Sequence, residues 1–240
     1  MQWKAKRYIN ALSTNIRMKI REILDLNTLP GTIYVCSDLH IGHENVIKFD
    51  NRPFNSIEEM NAYIIQELKT KLKPEDILID LGDMFWDMNW VDCKKILDEI
   101  PCEKVYKTPG NHDRDGLYFG SQARLYDCFT QMSDIIDMRV RWNDKPYRFT
   151  FCHYPMVEWN HKFRGSLMVH GHTHGSIDTR DAESTDLIVD VGYNSSLAKK
   201  VGSFLIPLQE IIKHFYEKTD GMEFYDWADK FKNTNKEELD

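Results

Sequence analysis

The stretch HGHTHG sets His172 and His174 two residues apart, directly after the apolar run SLMV. Side chains spaced i, i+2 point to the same side of an extended segment, so both imidazoles can address one locus. Similar residue types recur along the chain. Asp38 and His40 lie in SDLHIGH, Asp83 in LGD, Asn111, His112 and Asp113 in PGNHD, and His153 in CHYP. Imidazole and carboxylate suit divalent ions such as Mn, Fe, Ni or Zn, and no thiolate is offered for a softer metal. Each cluster alone has an ordinary reading as turn chemistry or a hydrogen-bonded histidine. Together they are a pile-up of donors and charges that costs free energy unless something binds there.

The elements that position these residues are short β-type runs. They are Thr32–Ser37, Asp76–Gly82, Glu103–Gly110, Tyr147–Pro155, Ser166–His172 and Asp186–Gly192, rich in β-branched and aromatic residues and closed by Gly, Pro or polar clusters. Several are almost continuously apolar, as strands covered on both faces are. Ser56 and Glu59 form a capping box ahead of Met60, Ile64, Leu68 and Leu72, which predicts a helix; a second is predicted over Trp90–Ile100. Alternating helices and buried strands imply a layered α/β sandwich. The chemistry-bearing clusters follow the strands directly, and ligands gather in the crevice outside the carboxyl ends of strands in open α/β sheets. Residues 1–30 read as a basic amphipathic helical extension, with Lys4, Lys6, Arg7, Arg17, Lys19 and Arg21 among Ile9, Leu12, Ile16, Ile20, Ile23 and Leu24. Residues 31–217 then form the main domain, and 218–240 a polar, fraying tail.

The ordered series DLH, GD, GNHD, a lone His and GHTH resembles the calcineurin-like metallophosphoesterase superfamily, in particular a compact branch found in bacteria and phages. The resemblance runs from Asp38 to His174. It implies a four-layer αββα sandwich and two divalent metal ions per chain, manganese first, with Fe, Ni or Zn as alternatives. Asp38, His40 and His174 are then expected to hold one ion, Asn111, His153 and His172 the other, with Asp83 bridging. Two such ions can share a hydroxide and clamp a phosphoryl group for in-line displacement. The resemblance makes His112 the group that stabilises developing charge or protonates the leaving oxygen. Asp113 is expected to orient its ring.

His43, Asn45, Arg52, Arg114, His161 and Arg164 are the candidate substrate contacts, the arginines because a guanidinium fork suits phosphate. Serine/threonine protein phosphatases of this superfamily carry an arginine soon after GD and a GNHE motif. Here GDMFWDM and GNHD stand instead, which disfavours protein phosphatase activity. The expected activity is phosphodiester hydrolysis on nucleotide or nucleic-acid substrates, with phosphomonoester hydrolysis the rival and a non-catalytic metal-binding scaffold the reading from another class. A net charge of −7 argues against a broad nucleic-acid-binding face, though a local basic patch is compatible with it. Five cysteines without CxxC spacing, no long apolar run and a charged N-terminus point to a cytoplasmic protein without stable membrane association.

Overall fold

The structure is a computed structural model that describes residues 17–113 and 124–232. Strand β1 spans Arg17–Asp25 and β2 Ile33–Cys36; helices α1 (Glu44–Phe49) and α2 (Ile57–Lys71) precede β3 (Ile77–Asp80). Then come α3 (Trp90–Glu99), β4 (Lys104–Lys107), β5 (Gln131–Met132), β6 (Ile135–Trp142), β7 (Lys145–Cys152) and β8 (Leu167–His170). The chain continues with α4 (Asp178–Glu183), β9 (Ile188–Asp190), α5 (Ser196–Val201), β10 (Ile206–Pro207), α6 (Leu208–Lys218) and α7 (Phe224–Phe231). The strands form two five-stranded sheets, ordered β1-β6-β7-β8-β9 and β10-β2-β3-β4-β5.

Alternation along the strands sets the layers. Ile33, Val35, Ile77 and Ile79 of one sheet meet Ile136, Met138, Val140, Phe149, Phe151, Leu167 and Val169 of the other in a central core. The opposite face of the second sheet, with Cys36, Leu78 and Val105, packs under α2 and α3 through Met60, Ile64, Leu68, Cys93 and Leu97. Each fully buried aliphatic side chain of α2 contributes about 1.5–3 kcal/mol. Ser56 caps α2 by accepting from Glu59 N at 3.2 Å, while the Glu59 carboxylate reaches Asn55 N at 2.8 Å, one residue further back than a standard capping box. On the outer face of the first sheet α4 is tied to β8, where Asp181 meets His170 at 3.0 Å. The architecture is the αββα sandwich that the resemblance implies, and it agrees with the layered α/β sandwich read from the alternation of runs.

Three parallel strands end level. Cys36 stands opposite Asp80, and Asp80 opposite Lys107. β7 and β8 are parallel as well, with Phe151 opposite Val169. The loops that carry the polar clusters therefore leave from matched strand ends.

Two expectations are corrected. The helix predicted over the first thirty residues is a strand where it is described: β1 pairs in parallel with β6 from Arg17 opposite Ile135 to Asp25 opposite Arg141, with an irregularity between Lys19 and Ile23. Residues 1–16 lie outside the described residues. The tail expected to fray contains α7, whose Phe224 is buried against Phe215 and Tyr216 and whose Trp227 Nε1 donates to Thr185 O at 2.8 Å. Residues 233–240 lie outside the described residues. No described helix is long and apolar enough to cross a membrane.

Candidate metal centre

The backbone around the strand ends is held in an uncommon conformation. Asp38, His40, Asp83, His172 and His174 all have positive φ, at 57°, 53°, 53°, 69° and 51°. Non-glycine residues there cost about 1–3 kcal/mol each, so the surroundings must over-determine them. The hydrogen bonds that do so are His40 N to Asp83 O at 3.0 Å, Asp38 N to Gly82 O at 3.0 Å and His112 N to Asp83 Oδ1 at 2.9 Å. His172 N adds bonds to both Asp38 oxygens at 3.1 and 2.9 Å. Two motif glycines permit the close approach. A Cβ at Gly110 would lie 2.0 Å from Asp83 Oδ1, and one at Gly171 2.0 Å from Ser37 Oγ.

One donor set is Asp38, His40 and His174, whose ligand atoms lie within 4.8 Å of one another. The Nε2 atoms of His40 and His174 are 3.1 Å apart, and His174 Nε2 is 3.7 Å from Asp38 Oδ1. The far side of the His174 ring explains the arrangement. Nδ1 meets the Asp50 carboxylate at 2.6 Å, which keeps a proton on Nδ1 and turns Nε2 towards His40 and Asp38. Burial, then the neighbouring His174, brings His40 down to about 3, so His40 is neutral. Burial lowers His174, but the hydrogen bond to Asp50 and the Asp38 charge outweigh it and raise it, so the space between His174 Nε2, His40 Nε2 and Asp38 favours a cation, whether a proton on His174 or a metal ion. The donor set therefore fits a divalent ion.

The second set is Asp38, Asp83 and His153. His153 Nε2 is 3.4 Å from Asp83 Oδ2 and 3.1 Å from Asn111 Oδ1. Its Nδ1 lies 2.8 Å from Leu81 O, a pure acceptor, so Nδ1 carries a proton, and Nε2 faces two oxygen acceptors across the site, where a second proton or a metal ion in its place is favoured. The His172 ring is adjacent, with its centroid 5.1 Å from that of His153. Burial raises Asp83, but the hydrogen bond and charge of His153 outweigh it and hold the carboxylate down at about 2. Burial pushes Asp38 up to about 6 against the pull of His153 and His174. The carboxylate common to both sets is Asp38, whereas the resemblance assigns the bridge to Asp83.

His112 is exposed at the mouth, its ring centroid 5.6 Å from that of His40 and 4.1 Å from that of Trp86. Trp86 also stacks on His43 at 3.8 Å with an interplanar angle of 4°. The sequence favours placing MFWDMNW in the covered start of α3. Met84 and Phe85 are indeed buried, but Trp86 joins the aromatic wall of the site.

Other expected roles change. Asp113 does not orient His112: its Oδ2 accepts from Lys107 Nζ at 2.8 Å and from Asp83 N and Gly110 N, each at 2.9 Å. Among the described residues no hydrogen bond joins it to the His112 ring. Arg52 is no free phosphate fork. It is 4% exposed, and its donors go to Asn194 Oδ1, Leu39 O, Asp38 O and Asp50 Oδ2 at 2.8–3.3 Å. It braces the carbonyl of Asp38 and the carboxylate that orients His174. Asn45 is exposed on α1. His161 lies in a separate cavity on the outer face of the first sheet, with Arg164 exposed on the same loop. Arg114 lies outside the described residues.

Asp50 is the functional residue that sequence reasoning missed. It sits in KFDNRPF, two positions before an arginine that drew attention for its charge, and no local pattern links it to His174 across 124 residues. His170, in the same motif as His172, is a structural residue. Its Nδ1 meets Gly171 O at 2.8 Å and its Nε2 meets Asp181, so neither ring nitrogen is left for a metal.

Comparison with known proteins agrees with this geometry. The family model for calcineurin-like phosphoesterase matches residues 31–194. The chain is 31% identical over 144 residues to the uncharacterized protein MJ1445 of Methanocaldococcus jannaschii, covering 60% of this chain and 70% of that protein. The crystal structure of the protein of unknown function AQ665 from Aquifex aeolicus superposes with a TM-score of 0.51 at 23% identity, covering 77% of this chain and 99% of that one. That likeness concerns the fold.

Proposed function

The chain belongs to the calcineurin-like phosphoesterase family, and we propose that it is a two-metal phosphodiesterase acting on nucleotide or nucleic-acid substrates. The observation that carries this reading is the pair of adjoining donor sets, Asp38–His40–His174 and Asp38–Asp83–His153. Asp38, His40 and His174 would hold one ion and Asn111, His153 and His172 the other, with Asp83 between them. Manganese is the first choice, with iron, nickel or zinc compatible with the donors. Such a pair supplies activated water at neutral pH and neutralises charge on the phosphoryl oxygens.

The side chains do the rest. Asp50 and Leu81 O hold Nδ1 of His174 and His153, so that Nε2 of each faces inward. His112, free at the mouth, protonates the leaving oxygen, and Trp86 with His43 walls its ring. No side-chain nucleophile is needed, so the ester is cleaved in one displacement.

The engagement of Arg52 supports the diester over the monoester. A monoester brings a second negative charge, and the guanidinium expected beside the metals is committed to four oxygens below the site. The free thiols of the five cysteines support a reducing, cytoplasmic setting. Manganese-loaded protein should hydrolyse bis-p-nitrophenyl phosphate faster than p-nitrophenyl phosphate. The reverse preference would select the phosphatase reading, and turnover of neither with metals bound would select a scaffold. A panel of nucleotides, cyclic nucleotides, dinucleotides and single-stranded DNA or RNA would then identify the substrate.

A further inference from the structure

Phe49, the last residue of α1, is 77% exposed, the most exposed Phe, Tyr or Trp side chain among the described residues. Its helix neighbours face the other way: Val46 is buried, and Ile47 packs against the core that lies under α2 and α3. A single apolar side chain on a surface is ordinary and calls for no explanation. Phe49 does not stand alone. Its ring centroid lies 6.3 Å from that of His43, which stacks on Trp86, which in turn lies against His112. One aromatic row therefore runs from open solvent to the histidine at the mouth of the metal centre. His40 adjoins the row, 5.4 Å from His43. The backbone next to Phe49 is pinned as well. Asp50 N donates to Val46 O at 2.9 Å, Asp50 O accepts from Asn194 Nδ2 at 2.8 Å, and the Asp50 carboxylate holds His174 Nδ1.

We infer that Phe49 is a specificity-determining residue, the platform on which a base of the substrate stacks while the phosphate lies at the metal centre. The inference rests on the reading above and adds the residue that selects the substrate. Base–aromatic stacking needs an open ring and no charge, and it accepts any base because every base has a π-face. The charged alternatives are engaged or remote. Arg52 is committed to oxygens below the site, and His161 lies in another cavity. The steps from Phe49 to His43 and from His43 to His40 are short, a reach that one nucleoside covers. The ties at Asp50 set the place of the ring before substrate arrives, which limits the ordering cost of binding.

Calorimetric titration of the full, manganese-loaded chain tests this by binding rather than turnover. The probes are adenosine 5′-methylenephosphonate and its base-free counterpart, methyl riboside 5-methylenephosphonate, whose P–C bond no esterase cleaves. The expected result is about five- to a hundredfold tighter binding of the adenosine probe, the range that stacking of one base supplies. Phe49→Ala and Phe49→Leu should each bring that ratio below about twofold, whereas Phe49→Trp keeps it. No measurable binding of the adenosine probe, equal binding of the two probes by the wild type, or a ratio that survives Phe49→Ala would each overturn the inference. So would a parallel fall in affinity for both probes in Phe49→Ala, the mark of a purely structural role. Hydrolysis of bis-p-nitrophenyl phosphate and of a dinucleotide is read separately. The ratio without cleavage of either ester removes the phosphodiesterase reading and keeps the platform; cleavage without the ratio removes the platform alone.

Discussion

Lys107→Met is a sharp probe of how the fold holds the site. Lys107 Nζ lies 2.5 Å from Asp80 Oδ2 and 2.8 Å from Asp113 Oδ2, and all three side chains are fully buried. Asp113 in turn accepts from Gly110 N and Asp83 N, so the ammonium supports the carboxylate that joins two ligand loops. Removing the ammonium leaves two carboxylates facing each other without a counter-charge. Breaking a buried ion pair from one side costs about 3–5 kcal/mol, a large share of a typical total of about 5–15 kcal/mol. Urea unfolding followed by tryptophan fluorescence should register that loss with an unchanged slope.

Two controls sharpen the test. Burial already raises Asp80, with Lys107 as the opposing pull; without Lys107 its folded-state value rises further above the unfolded one. A raised carboxylate penalises the folded state above its folded pKa, and the penalty vanishes as pH falls below the unfolded value. The deficit of the variant should therefore shrink on acidification towards pH 4. Adding Asp80→Asn should recover at least half of it at pH 7. A loss below about 1 kcal/mol at pH 7, or a deficit that grows on acidification, would refute the claim that this ion pair network anchors the ligand loops.

Other outcomes follow from the same geometry. Asp50→Asn should weaken one ion about 10–100-fold, as removal of a carboxylate behind a metal-bound histidine does, and a metal titration with two resolved steps would show only one of them shifted. His112→Ala should lower kcat about 10²–10⁴-fold while metal content stays at two per chain; loss of metal would mean His112 is a ligand. Gly110→Ala drives a methyl group into Asp83 Oδ1, 2.0 Å away, and should abolish binding of both ions as measured by elemental analysis. Arg52→Ala should lower unfolding stability by about 3 kcal/mol or more through stranded buried acceptors, whereas a pure KM effect would restore its reading as a substrate contact.

The candidate metal-holding residues were legible because each follows an apolar run at a strand end, where polar residues stand out in sequence. The layers were legible for a related reason, since buried strands and the capped helix α2 carry strong local patterns. β1 was not. Ile16, Ile20, Ile23 and Leu24 satisfy helical spacing, and the pairing with β6 that decides the matter spans more than a hundred residues. β6 itself alternates Ile136, Met138 and Val140 with Asp137, Arg139 and Arg141, a period-two signal present in the sequence but overshadowed by its charge. In α7, Phe224, Trp227, Ala228 and Phe231 follow helical spacing, masked by the polar composition around them. The misread arginine illustrates a different limit. Whether a guanidinium faces substrate or props a loop depends on carbonyls and carboxylates brought to it by the fold, and the residue type does not distinguish the two.

The most direct test is a crystal of the manganese-soaked protein measured at an anomalous wavelength. Two peaks are predicted, one within bonding distance of Asp38, His40 and His174, the other of Asn111, His153 and His172, and Asp83 touching both. A single peak, or a second one lying away from His153, would contradict the two-metal account.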